Sequence, residues 1–182
     1  MFRRISIYGG PGCGKTTLAA KLFAALREKG RHVEPVSEWI KLDAILGIFP
    51  QDYDQVTVLG NQIREESLRL RKTPFVLTDS PILLNTAYAE FYGFRHSGHL
   101  VALAKAFDED YPSYNVFIDR TVPYQQSGRY QSYEQAVEFD EFLKGFLGRN
   151  LNGILKHVTV DRFDDLLSSV EGHVFCGGSH AS

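Results

Sequence analysis

The chain has 182 residues and carries 20 Lys and Arg against 22 Asp and Glu, a formal charge of −2. That balance excludes a global attraction to nucleic acid or to an anionic membrane, although a local patch can supply what net charge does not. The length suits a single domain that buries roughly 70% of its unfolded surface, so the core needs no metal or disulfide staple.

The two cysteines, Cys13 and Cys176, lie far apart without metal-ligand spacing and read as free thiols of a reducing compartment. The first apolar run is only strand-length, which predicts neither a signal peptide nor a membrane span and points to the cytoplasm.

Residues 4–8 form the first predicted strand, rich in Ile5, Ile7 and Tyr8 and stopped by Gly9-Gly10. A helix is predicted over 15–29, with Leu18, Leu22, Ala25 and Leu26 on one face and Gly30 as its stop. A short strand follows at 32–36. Residues 39–50 are mixed and apolar, a short helix and loop over a site. Asp54 is placed to cap a helix over 55–71 whose apolar members are Val58, Ile63, Leu68 and Leu70. A strand at 75–78 leads into Asp79. Helices are predicted at 84–91 and 99–107, with a strand at 114–118. Residues 128–133 are polar and turn-like. The clearest late helix covers 133–147, with Ala136, Phe139, Leu143, Phe146 and Leu147 spaced for one face. A last strand at 158–160 and a helix at 164–170 precede a tail expected to fray after Gly172, with Val174-Phe175 as the part of it that can still pack. Strands of four or five residues alternating with helices predict an α/β fold, a mostly parallel doubly wound sheet with helices on both faces.

Residues 9–16, GGPGCGKT, match G-x-x-x-x-G-K-[ST] throughout, between a predicted strand and a predicted helix. In such a P-loop, backbone N–H groups curl around a polyanion and the helix N-terminus adds its positive field. The expected phosphate-binding residues are Gly9, Gly10, Pro11, Gly12, Cys13, Gly14, Lys15, Thr16 and Thr17. Lys15 is expected to reach the β- and γ-phosphates of ATP, and Thr16 to offer its hydroxyl to Mg²⁺. Cys13, at a helix N-terminus, is either an activated thiol or simply the variable position of the loop.

In parallel sheets, ligands sit beyond the carboxyl ends of strands. Asp79 ends the third strand, placed as a Mg²⁺ carboxylate or as a cap for the next helix. Glu38 follows the second strand, either as a general base for an acceptor hydroxyl or as a solvated loop residue. Asp119 is expected to organise its turn or to pair with Arg120. Arg120 and Arg129 bracket a polar segment with Gly128 as its flexible point, and a lid over about 120–133 would bring these arginines onto the transferring phosphoryl. Trp39, Phe49 and Tyr53 with Asp54, Gln55, Asn61, Gln62 and Arg64 are candidates for an aromatic and amide pocket around a flat base, or for ordinary core and surface. Gln125, Gln126 and Gln131 are further candidates for substrate contact. Arg64, Arg69, Arg71 and Lys72 form a local basic strip, and Arg3 with Arg4 a second one.

Taken together, GGPGCGKT at 9–16, TDSP at 78–81 and GRYQSYEQAVEFD at 128–140 resemble the P-loop kinases of the nucleoside and nucleotide kinase superfamily, and more narrowly the small kinases encoded by bacteriophages. The resemblance implies a three-layer P-loop NTPase fold spanning 1–171, with a small arginine-containing lid and a flexible tail at 172–182. It implies Lys15, Glu38, Asp79, Arg129 and Arg120 as the catalytic set, with Thr16 and Asp79 as Mg²⁺ ligands. It implies ATP as phosphoryl donor and a monomer or homodimer with no membrane partner, in the host cytoplasm for a phage-encoded chain. The acceptor it implies is a nucleoside-like hydroxyl: the 5-hydroxymethyl group of 5-hydroxymethyluracil in DNA, a free nucleoside or nucleoside monophosphate, or another small acceptor. Deoxynucleoside kinases show an acidic–Arg–Ser run where this chain has Asp79-Ser80-Pro81. The competing class is a non-kinase P-loop NTPase of the AAA type.

Overall fold

The computed structural model describes residues 2–124, 131–151, 153 and 155–175. Five short β-rich runs become strands β1 (Arg4–Tyr8), β2 (Val33–Val36), β3 (Phe75–Thr78), β4 (Ser113–Ile118) and β5 (Leu155–Val158). They form one sheet in the order β2-β3-β1-β4-β5, with every pairing parallel. From β1 the chain crosses to the edge strand β2, returns through β3 beside β1, and then passes to the other side through β4 and β5. The crossovers therefore diverge at the carboxyl end of β1, where a parallel sheet opens a crevice.

Among the described residues seven α-helices connect or follow the strands: α1 (Lys15–Glu28), α2 (Lys41–Leu46), α3 (Asp54–Leu70), α4 (Ile82–Phe91), α5 (Ser97–Asp110), α6 (Tyr133–Asn150) and α7 (Phe163–Val170). Strand alternation divides the core into two layers. Ile5, Ile7, Leu77, Val116 and Ile118 face α1 and α7, packing on Leu18, Leu22, Leu26, Leu166 and Val170. Tyr8, Val76 and Phe117 face the opposite layer, against Leu59 of α3, Leu84 of α4, Ala104 of α5 and Phe139 of α6. Ser132 starts α6 with a capping box: its Oγ accepts from Gln135 N at 3.3 Å, and Gln135 Oε1 accepts from Ser132 N at 2.8 Å. Two orphan amides are satisfied at once, which fixes where α6 begins. Among the described residues no helix is long and apolar enough to cross a membrane.

Several boundaries differ from the sequence expectation. The last strand is Leu155–Val158 rather than 158–160, because its register against Asn115–Ile118 is set by pairing rather than by its own thin apolar content. Asp54 does not cap α3. Tyr53 occupies the cap position without a side-chain bond, and the Asp54 carboxylate instead accepts from Gln51 N at 3.0 Å. Beyond α7 the chain stays packed through a π turn, Glu171–Phe175, where Val174 is buried and Phe175 sits edge-on to Phe75. Cys176 and the rest of the expected tail lie outside the described residues.

The second basic strip does not exist as a surface. Arg4 is fully buried, its Nε on Glu66 Oε2 at 2.8 Å and its Nη1 on Asp108 and on Tyr111 O. It ties β1 to α3 and α5. Removing one partner of a buried ion pair strands the other charge, so Glu66→Ala is expected to destabilise the protein by about 3–5 kcal/mol. A thermal melt that moves by less than a few degrees would show that the pair is not holding these elements together.

Candidate active site

The carboxyl ends of β1, β2 and β3 open into a cavity of about 430 Å³. One wall is the loop expected to bind phosphate, represented by Pro11, Gly12, Gly14, Lys15, Thr16 and Thr17. Gly14 holds φ +99°, a left-handed conformation that a side chain disfavours, and this turns the chain into α1. The free N–H groups at the start of α1 then face the cavity. Lys15 Nζ donates to Gly10 O at 2.9 Å. Gly9, Gly10 and Cys13 lie behind this wall and do not line the cavity. Cys13 is fully buried, and burial pushes its thiol upward in spite of nearby Lys15. The activated-thiol reading therefore fails: desolvation outweighs the helix N-terminus.

Glu38, two residues past β2, and Asp79, the residue after β3, both line the cavity beside Lys15. Burial raises the Glu38 carboxyl above its ordinary value. Lys15 pulls it down, Asp79 raises it and Lys41 lowers it. Asp79 is not a helix cap, since α4 starts at Pro81 without a side-chain cap bond. The turn after β3 is instead held by Thr78 Oγ1, which accepts from Ser80 N at 3.1 Å. Thr16 and Asp79 are a hydroxyl and a carboxylate on one cavity, a hard-oxygen donor pair that fits Mg²⁺.

The far wall is aromatic and amide-bearing: Phe49, Tyr88 and Tyr92 with Gln55, Asn85 and Gln131. Tyr88 is stacked on Phe139 of α6, with ring centroids 4.1 Å apart. Phe49 meets Tyr92 edge-on at 5.0 Å, and Gln131 Nε2 donates to Tyr92 Oη at 2.6 Å. Of the pocket residues expected from sequence, only Phe49 and Gln55, with Gln131 from the polar segment, line this wall. Gln62 is buried behind it, its Oε1 accepting from Trp39 N at 3.1 Å. Tyr53 faces outward against Phe94 and His96. Trp39, Asn61 and Arg64 do not line the cavity. Asn85, Tyr88 and Tyr92 were missed. Asn85 and Tyr88 sit on α4 and Tyr92 at its C-cap; the helix reads as apolar core, and its polar and aromatic positions are the available signal.

Arg120 also sits away from the cavity. Its Nε donates to Asp140 Oδ2 at 2.7 Å and its Nη2 to Pro11 O at 2.8 Å. Asp119 does not pair with it. Asp119 instead meets His157 Nδ1 at 3.2 Å and Lys144 Nζ at 4.0 Å. Arg129 and Gly128, with Gln125 and Gln126, lie outside the described residues. The strip of Arg64, Arg69, Arg71 and Lys72 runs toward the opposite end of the sheet. There Arg3 Nη2 donates to Leu70 O at 2.6 Å and to Thr73 O at 2.9 Å, fastening the amino end of β1. Arg69 is itself paired with Glu65 at 2.6 Å.

An all-parallel five-stranded sheet with a G-x-x-x-x-G-K-[ST] loop after its central strand and acidic residues at the neighbouring strand ends defines a P-loop NTPase fold. The chain belongs to the AAA domain family AAA_28, which matches residues 4–157. No curated protein sequence matches it.

Among solved structures it is similar to NadR in complex with NR, at 18% identity and a TM-score of 0.70 over 96% of this chain. The chain spans about half of NadR, 51% of its length. It is also similar to APE1195, at 17% identity and a TM-score of 0.51, covering 95% of this chain and 96% of that one. A third likeness is to deoxyadenosine kinase from M. mycoides with the products dCMP and dCDP, at 14% identity and a TM-score of 0.51. It covers 93% of this chain and 96% of that one. At these identities the likeness is one of fold.

Proposed function

We propose that the protein is an ATP-dependent phosphotransferase that moves a γ-phosphoryl group onto the hydroxyl of a nucleoside-like acceptor. The observation that carries this reading is the single cavity that joins the phosphate loop to an aromatic and amide chamber, with Glu38 and Asp79 between the two. A hydrolase needs only water beside the γ-phosphate. A chamber continuous with the loop suits a flat acceptor ring, stacked by Phe49, Tyr88 or Tyr92 and read at its edge by Gln55, Asn85 or Gln131.

The loop amides and Lys15 bind the β- and γ-phosphates, and Thr16 with Asp79 would hold Mg²⁺, which neutralises charge developing on the phosphates. Glu38 takes the acceptor hydroxyl proton as the new oxygen–phosphorus bond forms, the β–γ bridging bond breaks and ADP leaves. NadR bound to NR and deoxyadenosine kinase bound to dCMP and dCDP support a nucleoside-type acceptor on this fold. The basic strip lies toward the amino ends of the strands rather than at the cavity, which favours a free nucleoside or nucleotide over a base held in DNA.

The test follows label from γ-phosphate-labelled ATP with Mg²⁺ into two acceptors. One is duplex DNA containing 5-hydroxymethyluracil. The other is a pool of free nucleosides and nucleoside monophosphates that includes the same modified base. Label in the free pool supports the favoured reading, and label in DNA alone makes the protein a DNA-modifying kinase. Membership of the AAA domain family favours a second reading, a non-kinase NTPase. Its mark would be ATP turnover that no acceptor accelerates, in a sample that assembles into rings.

The acceptor wall makes a separate prediction. Tyr92→Phe removes the hydroxyl that accepts from Gln131 and frees that amide. The acceptor KM is expected to change by about 3- to 10-fold, the scale of one hydrogen bond, with the ATP KM unchanged. Steady-state kinetics against each substrate checks it, and a change confined to ATP would remove Tyr92 and Gln131 from the acceptor side.

A further inference from the structure

The second residue of the phosphate loop raises a question that the loop pattern does not answer. In G-x-x-x-x-G-K-[ST], position 10 is free to vary, and Gly10 has no left-handed backbone that would demand glycine. What forbids a side chain there is another part of the protein. A Cβ on Gly10 would collide with Asp140 Oδ1 and would come within 3.1 Å of Arg120 Nη2. Asp140, on the second turn of α6, accepts from Gly10 N at 2.9 Å. Its other oxygen takes Arg120 Nε at 2.7 Å, and the same guanidinium reaches Pro11 O at 2.8 Å. Two adjacent residues of the loop, one through its N–H and one through its carbonyl, are thus held by a single ion pair that is nearly all buried.

The chemistry of this pair is local and specific. A carboxylate accepting a backbone N–H and a guanidinium donating to a backbone carbonyl are charge-assisted bonds, stronger than neutral ones. Neither Asp140 nor Arg120 lines the cavity, so the pair holds the loop from outside it. The pair also ties the end of β4 to α6: Arg120 lies two residues past β4, and Asp140 lies in the first half of α6. One residue before Asp140, Phe139 stacks behind Tyr88 of the acceptor wall. The same turn of α6 therefore backs the phosphate loop and the acceptor chamber.

We propose that Asp140 and Arg120 are positioning residues for the phosphate loop, a clasp that sets Gly10 and Pro11 and for which Gly10 has to be glycine. The proposal rests on the reading of residues 9–16 as the ATP-phosphate cradle. It moves Arg120 from a group that closes on the phosphoryl to one that acts through the loop backbone.

The experiment is a titration of the full chain with a fluorescent ATP analogue and Mg²⁺, run alongside a thermal melt of each variant. Asp140→Ala and Arg120→Ala are expected to raise the Kd by about 10- to 100-fold, the scale of lost charge-assisted hydrogen bonds. Asp140→Asn keeps an acceptor for Gly10 N and is expected to fall between wild type and Asp140→Ala. Arg120→Lys does not rescue, because an ammonium cannot span both Asp140 and Pro11 O.

Gly10→Ala gives the sharpest readout. It weakens ATP binding in the wild-type background and adds little to Asp140→Ala, where the colliding oxygen is gone. A purely structural pair would lower the melting temperature and leave the Kd and this non-additivity unmoved. Should a single variant fail to fold around a stranded charge, the paired Arg120→Met, Asp140→Met variant removes both charges together and is read in the same way. Wild-type protein that does not bind the analogue would overturn the cradle reading itself. Wild-type protein that binds it, with Asp140→Ala or the paired variant binding equally well, would overturn the clasp alone.

Discussion

Lys15→Ala is expected to lower the turnover of phosphoryl transfer by about 10²- to 10³-fold, the loss seen when one preorganised charge-stabilising donor is removed from a transition state. The lysine faces the cavity, and its ammonium donates to Gly10 O. As a partly exposed group outside the core, it contributes only about 0.5 kcal/mol to folding. Single-turnover transfer from labelled ATP, set beside a thermal melt, separates the two quantities. A variant that melts like wild type and transfers normally would end the assignment of residues 9–16 to ATP.

Glu38→Gln is the second large effect, about 10²-fold in kcat with little change in ATP affinity. Its signature is in the pH profile. Burial holds the Glu38 proton above the ordinary Glu value of 4.5, so the base becomes available only at a higher pH than a solvated glutamate. Transfer by the wild type is expected to fall as pH drops through that raised pKa, and Glu38→Gln should lose this acid limb.

Stability carries the opposite sign. A carboxyl whose folded pKa is raised binds more protons folded than unfolded, so its contribution to stability declines as pH rises from 4.5 through the folded value. Glu38→Gln should therefore melt higher than wild type at neutral pH and no higher below pH 4.5. Unchanged transfer across the whole pH range would take Glu38 out of the base role. A wild-type protein that melts higher than Glu38→Gln at neutral pH would show that its ionised carboxylate is well compensated.

The fold was largely legible because its signals are local. The strands over 4–8 and 75–78 and the stripe of Ala136, Phe139, Leu143 and Leu147 need no tertiary information. The phosphate loop was legible for the same reason, since its spacing, its strand and its helix sit within thirty residues of one another. What escaped was polar chemistry on buried stripes. Gln62 and Glu66 follow Val58 and precede Leu70 at helical spacing, so α3 turns them inward, where they hold Trp39 N and Arg4. Asp140 lies between Ala136 and Leu143 on the buried face of α6 in the same way. By type alone, Glu66 and Asp140 are two acidic residues among many, and Gln62 reads as a pocket amide rather than a buried one. The readable signal was position rather than type: a polar side chain on an apolar stripe has to find a buried partner. The partners themselves, Arg4 and Arg120, lie 62 and 20 residues away in sequence, beyond the reach of any periodicity.

The order β2-β3-β1-β4-β5 has a consequence for biogenesis. The ribosome makes β1 first, yet β1 is the middle of the sheet and has no neighbour until β3 emerges on one side and β4 on the other. At about 5–20 residues per second, the loop that follows β1 waits roughly 5–20 s for the sheet to close around it. Asp140 arrives later still. A nucleotide bound by the loop after β1 therefore cannot stabilise the nascent chain until β3 and β4 have emerged. A chain released before β4 would carry the loop and only the β2-β3-β1 side of the sheet, with β1 left as an open edge.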